Sequence, residues 1–172
     1  AIGGVVGATA GAIIGKKMDK AAAEAAAVEN AKVETIEDVN GLKAVKVTFD
    51  SGILFDFNKT ALKSDAKTAL AKFATVLVEN PTMDIAVYGH TDNVGTLAAN
   101  QKVSLGRASK VADYLVAQGA TRTQMKVVEG RDYSMPVASN ETAEGRAQNR
   151  RVEVYMYASE KMIQDAQNEA TN

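Results

Sequence analysis

MDIAVYGHTDNVGTLAANQKVSLGRASKVADYLVAQG, residues 83–119, sets the fold, because it runs from a strand through a polar loop into a helix. At its start, Met83, Ile85 and Val87 alternate with less apolar residues, as in a strand with one buried face. From about residue 97 to 118 the apolar residues recur with helical spacing instead. This change of period predicts a strand followed by a helix that covers it.

Three other segments have the alternation of strands, and one helix precedes the central strand. The strands are LKAVKVTF (42–49), MKVVEG (125–130) and RRVEVYMY (150–157), and ILFDFNKTAL (53–62) is interpreted as a short strand and a turn. The helix begins at Ser64 or Asp65 and ends at Asn80-Pro81, since the residue before proline disfavours helix. Residues 133–149 are predicted to be an irregular polar connection.

The predicted order is therefore β-β-α-β-α-β-β. We expect an α/β (α+β) fold, a two-layer sandwich in which both main helices pack on one face of a single mixed sheet. Polar residues at alternate strand positions, such as Lys46 and Glu153, indicate that the other face is partly hydrated.

Bulk composition excludes several classes of function. The chain has 172 residues, is 46% hydrophobic and carries a net charge of −1, so no overall field attracts nucleic acid. The absence of cysteine removes disulfides, thiolate metal sites and cysteine nucleophiles. A protein of this kind is large enough for one domain with a core and an additional segment.

The N-terminal region carries a stripe of glycines, at positions 3, 7, 11 and 15. Small residues at this spacing let helices approach closely in lipid, which predicts membrane association or a homo-oligomer through the stripe. A flexible leader is the alternative. Residues 16–34, rich in Ala, Glu and Lys, are expected to form a helical spacer with little to bury, or else a helix that binds a partner.

This organisation predicts three regions. Residues 1–40 are the glycine-striped segment and spacer, 41–158 the domain, and 159–172 a polar tail that is helical or frayed. Because the chain begins with Ala1, we expect that an upstream segment, such as a signal peptide, has been removed.

His90 is the first candidate for chemistry. As the chain's one histidine, without cysteine, it cannot supply a zinc site, so we expect no metal and no cofactor. Ser104 and Asp92 are available to a catalytic set, but no spacing requires one, and we predict that the protein is not an enzyme. His90 is expected to lie at a strand end and to hydrogen-bond the loop.

Asp92 and Arg107 are the better candidates. Asp92 follows the predicted strand and Arg107 lies about two turns into the next helix, so both belong at one end of the sheet. A carboxylate beside a guanidinium is able to hold the ammonium and the carboxylate of an amino-acid head group. In the alternative, the two side chains simply pair with each other, an interaction worth about 0–1 kcal/mol at a surface.

At these residues the chain resembles a known family. GHTDNVGTLAANQKVSLGRASKVADYLVAQG is similar to the signature of the OmpA-like domain, and FDFNKTAL and EGRAQNRRVEVYM match its first and last blocks. The resemblance extends over residues 45–157. It implies the sandwich fold described above and non-covalent binding of peptidoglycan through the diaminopimelate residue of the stem peptide.

The resemblance also implies the ligand-binding residues. Asp92 and Arg107 match the family's two gripping residues, and the others match neighbouring positions of its motifs. These are Thr91, Asn93, Asn100, Leu105, Arg150 and Arg151. For Arg151, a purely structural role at the sheet edge is an equal alternative.

A location follows from the same resemblance. We expect the periplasmic face of the outer membrane in a bacterial envelope, with the N-terminal segment as the attachment of an outer-membrane lipoprotein. The predicted function is to anchor the outer membrane to the cell wall. Two alternatives remain: a membrane-associated structural or oligomerisation protein with a passive domain, and a hydrolase of wall peptides, for which we find no nucleophile or metal site.

Overall fold

A computed structural model describes residues 5–172 and contains one five-stranded mixed sheet in the order β1-β2-β5-β3-β4. The strands are β1 (Lys32–Glu37), β2 (Lys43–Asp50), β3 (Met83–His90), β4 (Met125–Gly130) and β5 (Arg151–Ala158). The helices are α1 (Ala8–Ala26), α2 (Ser51–Leu54), α3 (Ser64–Glu79), α4 (Leu97–Ala117), α5 (Ala143–Asn149) and α6 (Glu160–Thr171). Strands β3 and β4 are parallel, and the other neighbours are antiparallel.

The core lies between the sheet and its helices. Val47, Val154 and Val87 stand in one row across β2, β5 and β3, and all three are fully buried. Phe49 of β2 meets Phe73 of α3 edge to face, with ring centroids 5.7 Å apart. The predicted α/β sandwich with a mixed sheet is confirmed.

The first two strands differ from the predicted pair. The predicted helix is wrong over residues 32–34, because β1 pairs with β2 there through a hairpin whose turn contains Gly41 at φ 74°. The predicted strand in residues 53–62 is also wrong. That segment contains the end of α2 and a single bridge between Phe55 and Leu62. The order β-β-α-β-α-β-β still holds for the strands and main helices. The predicted first strand is β2, and the other member of the pair is β1, which precedes it, instead of the predicted strand after it.

Helix α1 is part of the core. It begins directly after Gly7, its N-cap residue, and runs through Gly11 and Gly15 into the alanine-rich stretch, and it buries Ile14 and Met18 completely. The interpretation of residues 16–34 as a spacer with little to bury is wrong, because Met18, Ala21 and Ala25 form a buried face of the helix. Gly3 lies outside the described residues, and the predicted domain ranges stay a prediction.

The polar tail is helical, one of its two predicted forms, whereas the connection over residues 133–149 is more regular than predicted. The tail forms α6, which packs against α1 and buries Met162, Ile163 and Ala166. The predicted irregular connection contains α5, whose first turn is capped by Thr142 Oγ1 accepting from Gly145 N. In residues 5–172, no helix is long and apolar enough to cross a bilayer.

Candidate ligand-binding site

The polar loop after β3 is held in place by its own side chains. Asp92 Oδ1 accepts a hydrogen bond from Val94 N at 3.0 Å, and Asn100 Nδ2 donates to Val94 O at 2.9 Å. Asn100 Nδ2 also donates to Thr96 O, and the Thr96 side chain caps α4. Because strand end, loop and first helical turn are bonded together, the position of Asp92 is fixed relative to α4.

Two glycines let α4 lie directly on the sheet beside this loop. A Cβ at Gly89 would be 2.0 Å from Ser104 O, and one at Gly130 would be 2.3 Å from Leu105 N. Contacts this close exclude any side chain at either position. Ser104 Oγ also accepts from Asp132 N at 3.0 Å, which ties α4 to the segment after β4. This close packing brings Arg107 to the end of the sheet where Asp92 lies.

Asp92 and Arg107 line one cavity of about 440 Å³. Of the other predicted residues, Thr91, Asn100 and Arg150 line it as well. The two central candidates therefore lie at one site with room for a guest, as predicted from their positions after β3 and in α4.

The two central side chains do not pair with each other. Asp92 Oδ2 forms an ion pair with Arg150 Nη1 at 2.6 Å, a charge-assisted contact. Within residues 5–172, no oxygen of Asp92 lies within 4.0 Å of the Arg107 guanidinium nitrogens. The alternative of a direct Asp92–Arg107 pair is therefore wrong, because the segment after α5 brings Arg150 to the carboxylate.

Arg107 is buried, and contacts with Lys59 and Phe55 fix its side chain. Its Nε donates to Lys59 O at 3.1 Å, and its guanidinium lies over the Phe55 ring, 5.1 Å from the centroid. Burial lowers the pKa of Arg107, and repulsion from Arg150 lowers it further, while Asp92 acts in the opposite direction. An arginine remains charged under such a shift, so the cavity presents a guanidinium whose position is fixed.

Three predicted residues lie outside the cavity lining. Asn93 and Leu105 are exposed, and Arg151 is buried elsewhere, where it donates to Glu153 Oε2 at 2.9 Å and to Met135 O at 3.0 Å. Arg150 is the C-cap residue of α5 with an extended backbone and Arg151 is the first residue of β5, so their side chains point in different directions. Leu105 precedes Arg107 by two residues, which puts it on another side of the helix.

His90 does not hydrogen-bond the loop as expected. Its Nε2 lies 3.0 Å from Glu153 Oε1 on the neighbouring strand, and its Nδ1 is buried without a partner in the described chain. Since β3 and β5 are adjacent, the strand partner is closer than the loop. Residues 5–172 contain no group of three or more His, Cys, Asp or Glu side chains that could hold a metal ion.

Sequence reasoning missed several residues that line the cavity. Phe57 and Asn58 come from the loop between α2 and α3, and Phe57 is 85% exposed. Arg146 and Arg150 reach the cavity together, because they are four residues apart at the end of α5. The FDFNKTAL block contained the signal for the first two, but Arg146 needed the helix that had been interpreted as irregular chain.

Comparisons with known proteins agree with this architecture. Residues 54–150 match the model of the OmpA family. The chain is 41% identical over 118 residues to outer membrane protein A of Bordetella avium, a match that covers 69% of this chain and 60% of that protein. The chain thus spans less than two thirds of that relative's length.

Two solved structures are similar. The cell wall anchor of the T6SS from Pseudomonas aeruginosa superposes with a TM-score of 0.67 and 31% identity, over 83% of this chain and 97% of that one. The peptidoglycan-associated lipoprotein from Burkholderia pseudomallei superposes with a TM-score of 0.55 and 28% identity, over 60% of this chain and 87% of that one.

The protein is a mixed sheet covered by helices, with a charged cavity at one end, and its relatives are outer-membrane and cell-wall anchor proteins. These features define a class of cell-envelope anchor domains, which is not a class of enzymes. The family match covers more than half of the chain, so the protein belongs to the OmpA family, whose OmpA-like domains bind peptidoglycan. The predicted location, at the outer membrane with the domain on the periplasmic side, is confirmed by these relatives.

Proposed function

We propose that this domain binds peptidoglycan through the free amino-acid end of diaminopimelate in the stem peptide, and so anchors the outer membrane to the wall. The observation that carries the proposal is the placement of Asp92 and Arg107 in one cavity without a direct bond between them. A carboxylate and a guanidinium in that arrangement complement the two charges of an amino-acid head group.

Binding involves an exchange of partners. The ligand ammonium takes the place of the Arg150 guanidinium on Asp92, and the ligand carboxylate is held by Arg107. Because Arg107 is already fixed by Lys59 O and Phe55, little side-chain entropy is lost when the ligand carboxylate binds. Asn100 and Thr91 keep the loop in shape through their hydrogen bonds and complete the wall.

The N-terminal segment is proposed to provide the attachment to the outer membrane. A homo-oligomer through the glycine stripe stays a prediction. A Cβ at Gly7 or Gly15 would meet nothing within 4 Å in the described chain, and the stripe alone indicates no partner.

The test is binding to isolated sacculi and to meso-diaminopimelate by the variants Asp92→Asn and Arg107→Gln. Each removes one of two desolvated charges that face the ligand, and we expect a loss of about 2–5 kcal/mol, roughly 30-fold or more in affinity. Pull-down and calorimetric titration measure it.

Asp113→Asn and Arg122→Gln are the matched controls. They remove the exposed ion pair between Arg122 Nη2 and Asp113 Oδ1, which are 3.0 Å apart. Asp113 is in α4, as Arg107 is, but neither residue lines the cavity. The controls should bind as the unmodified chain does. Undiminished sacculus binding by both site variants would refute the proposal.

A further inference from the structure

The charges around the cavity do not balance. Three guanidiniums line it, those of Arg107, Arg146 and Arg150, against the single carboxylate of Asp92. The described lining includes no other charged side chain, so its net formal charge is +2. The chain as a whole carries −1, so this positive charge is local to the site.

Two of the three guanidiniums have no carboxylate partner within residues 5–172. Arg150 takes Asp92, Arg107 donates to the neutral Lys59 O, and Arg146 Nη1 donates to the neutral Asn140 O at 2.9 Å. Partly buried like charges repel each other, and repulsion from Arg150 adds to the larger effect of burial in lowering the pKa of Arg107. A cavity with uncompensated guanidiniums favours an anionic guest.

A zwitterionic head group alone does not correct the imbalance. It brings one positive and one negative charge, so the +2 charge of the lining remains. Its ammonium also separates Arg150 from Asp92, which leaves Arg146 and Arg150, both in the cavity lining, without an anion. A carboxylate close to both would be bound by two charged donors.

We propose that the guest carries a second carboxylate besides its amino-acid head group, and that Arg146 and Arg150 bind it. This inference rests on the proposed function. It restricts the ligand of the cavity to molecules whose bound part carries two carboxylates and one ammonium. A stem tripeptide offers two such carboxylates: the α-carboxylate of the adjoining γ-linked glutamate, and the diaminopimelate carboxylate remote from the head group, which in longer stems is part of a peptide bond.

The experiment compares three synthetic tripeptides of L-Ala, γ-linked D-Glu and meso-diaminopimelate. One has all carboxylates free, one is amidated at the glutamate α-carboxylate, and one at the diaminopimelate carboxylate remote from the head group. We expect the free tripeptide to bind the unmodified chain about tenfold more tightly than at least one amidated form. Arg146→Gln should lose about tenfold toward the free tripeptide and no longer distinguish the forms.

Arg146→Lys keeps the charge and should retain part of the preference, and Arg122→Gln, outside the cavity, should retain all of it. Urea unfolding of each variant separates a loss of binding from a loss of folding. Equal affinity of the unmodified chain for all three peptides would overturn the second carboxylate while the head-group site stands. No affinity for any peptide or for meso-diaminopimelate would instead refute the proposed function itself.

Discussion

Asp92, a residue of the proposed binding site, already has a charged partner in Arg150. The Asp92 side chain is only 10% exposed, whereas that of Arg150 is 38% exposed, so the carboxylate is buried beneath a guanidinium that solvent reaches. A buried carboxylate without a partner is costly, and the ion pair with Arg150 offsets that cost. In the proposed binding mode, the accessible Arg150 turns to another anion when the ligand ammonium binds Asp92.

Glu153 of β5 is the second buried carboxylate. It lies on the face of the sheet opposite to the core residues Val152 and Val154. It accepts hydrogen bonds from His90 Nε2, Tyr155 Oη and Arg151 Nε, and Lys46 Nζ lies 3.3 Å from it. Burial acts to raise the pKa of Glu153, but the hydrogen bonds from His90 and Arg151 outweigh it and hold this pKa far below its ordinary range. Burial first, and then the charge of Glu153, raise the pKa of Tyr155, which keeps its hydroxyl a donor.

Glu153→Gln tests this network through pH. A carboxyl whose pKa is lower in the folded state stabilises the fold above its ordinary pKa of 4.5, and this contribution is lost as pH falls below that value. We expect the variant to lose about 3–5 kcal/mol at neutral pH, and its stability to decline less between pH 4.5 and about 3 than that of the unmodified chain.

Urea unfolding across that pH range measures both effects. Glu141→Gln, at an exposed loop position, is the control and should change stability by no more than about 0.5 kcal/mol. Parallel pH curves for the unmodified chain and Glu153→Gln would contradict the assignment.

The contact between α4 and the sheet determines the geometry of the cavity. Gly89 in β3 and Gly130 in β4 are neighbours in the parallel ladder, and both meet the backbone or side chain of residues 104–105. A helix cannot approach two strands this closely if either position has a side chain. The separation of Arg107 from Asp92 therefore depends on residues that touch no ligand.

Gly89→Ala should damage folding and the site together. Its Cβ would overlap Ser104 O, a backbone atom that moves only with α4, and we expect a loss of about 1–3 kcal/mol or more. Ligand affinity per folded molecule should also fall, because Arg107 moves with the helix. Urea unfolding and titration with meso-diaminopimelate measure the two effects.

Gly15→Ala in α1 is the matched control, since a Cβ there meets nothing within 4 Å. It should stabilise by up to about 1 kcal/mol through helix propensity. If Gly89→Ala is as stable as this control, the close approach is not what positions α4.

At the scale of the whole molecule, the first and last helices, α1 and α6, complete the core. Helix α1 packs on β2, β1 and α6, so residues far apart in sequence close one side of the sandwich. Ile14 and Met18 from the start and Met162 and Ile163 from the end are all buried. The cavity of Asp92 and Arg107 is lined by none of these residues, which separates stability from binding.

Met18→Ala should therefore destabilise without changing the site. Truncation of a fully buried methionine costs about 2–5 kcal/mol. Affinity for meso-diaminopimelate, measured under conditions where the variant is folded, should equal that of the unmodified chain. Lys17→Ala, at the exposed neighbour, should leave both quantities unchanged. A Met18→Ala variant of undiminished stability would restore α1 to the role of a spacer.

Local periodicity and charge were sufficient for much of this protein. Alternation identified β2, β3, β4 and β5, helical spacing identified α3 and α4, and the positions of Asp92 and Arg107 after a strand and in a helix placed both at one sheet end. These signals lie within short segments, so they can be recognised without knowing which segments become neighbours.

Tertiary structure alone decided which groups meet. Asp92 pairs with Arg150, 58 residues away, and not with Arg107. Arg151 donates to Glu153, which lies on the same face of β5 and outside the cavity. Residues 16–34 were interpreted as a spacer because their alanines bury little by themselves, but α1 packs against α6 and β2, and Met18 is buried. Pairing and burial depend on distances of a few ångströms between segments remote in the chain, and only packing of the whole core sets those distances.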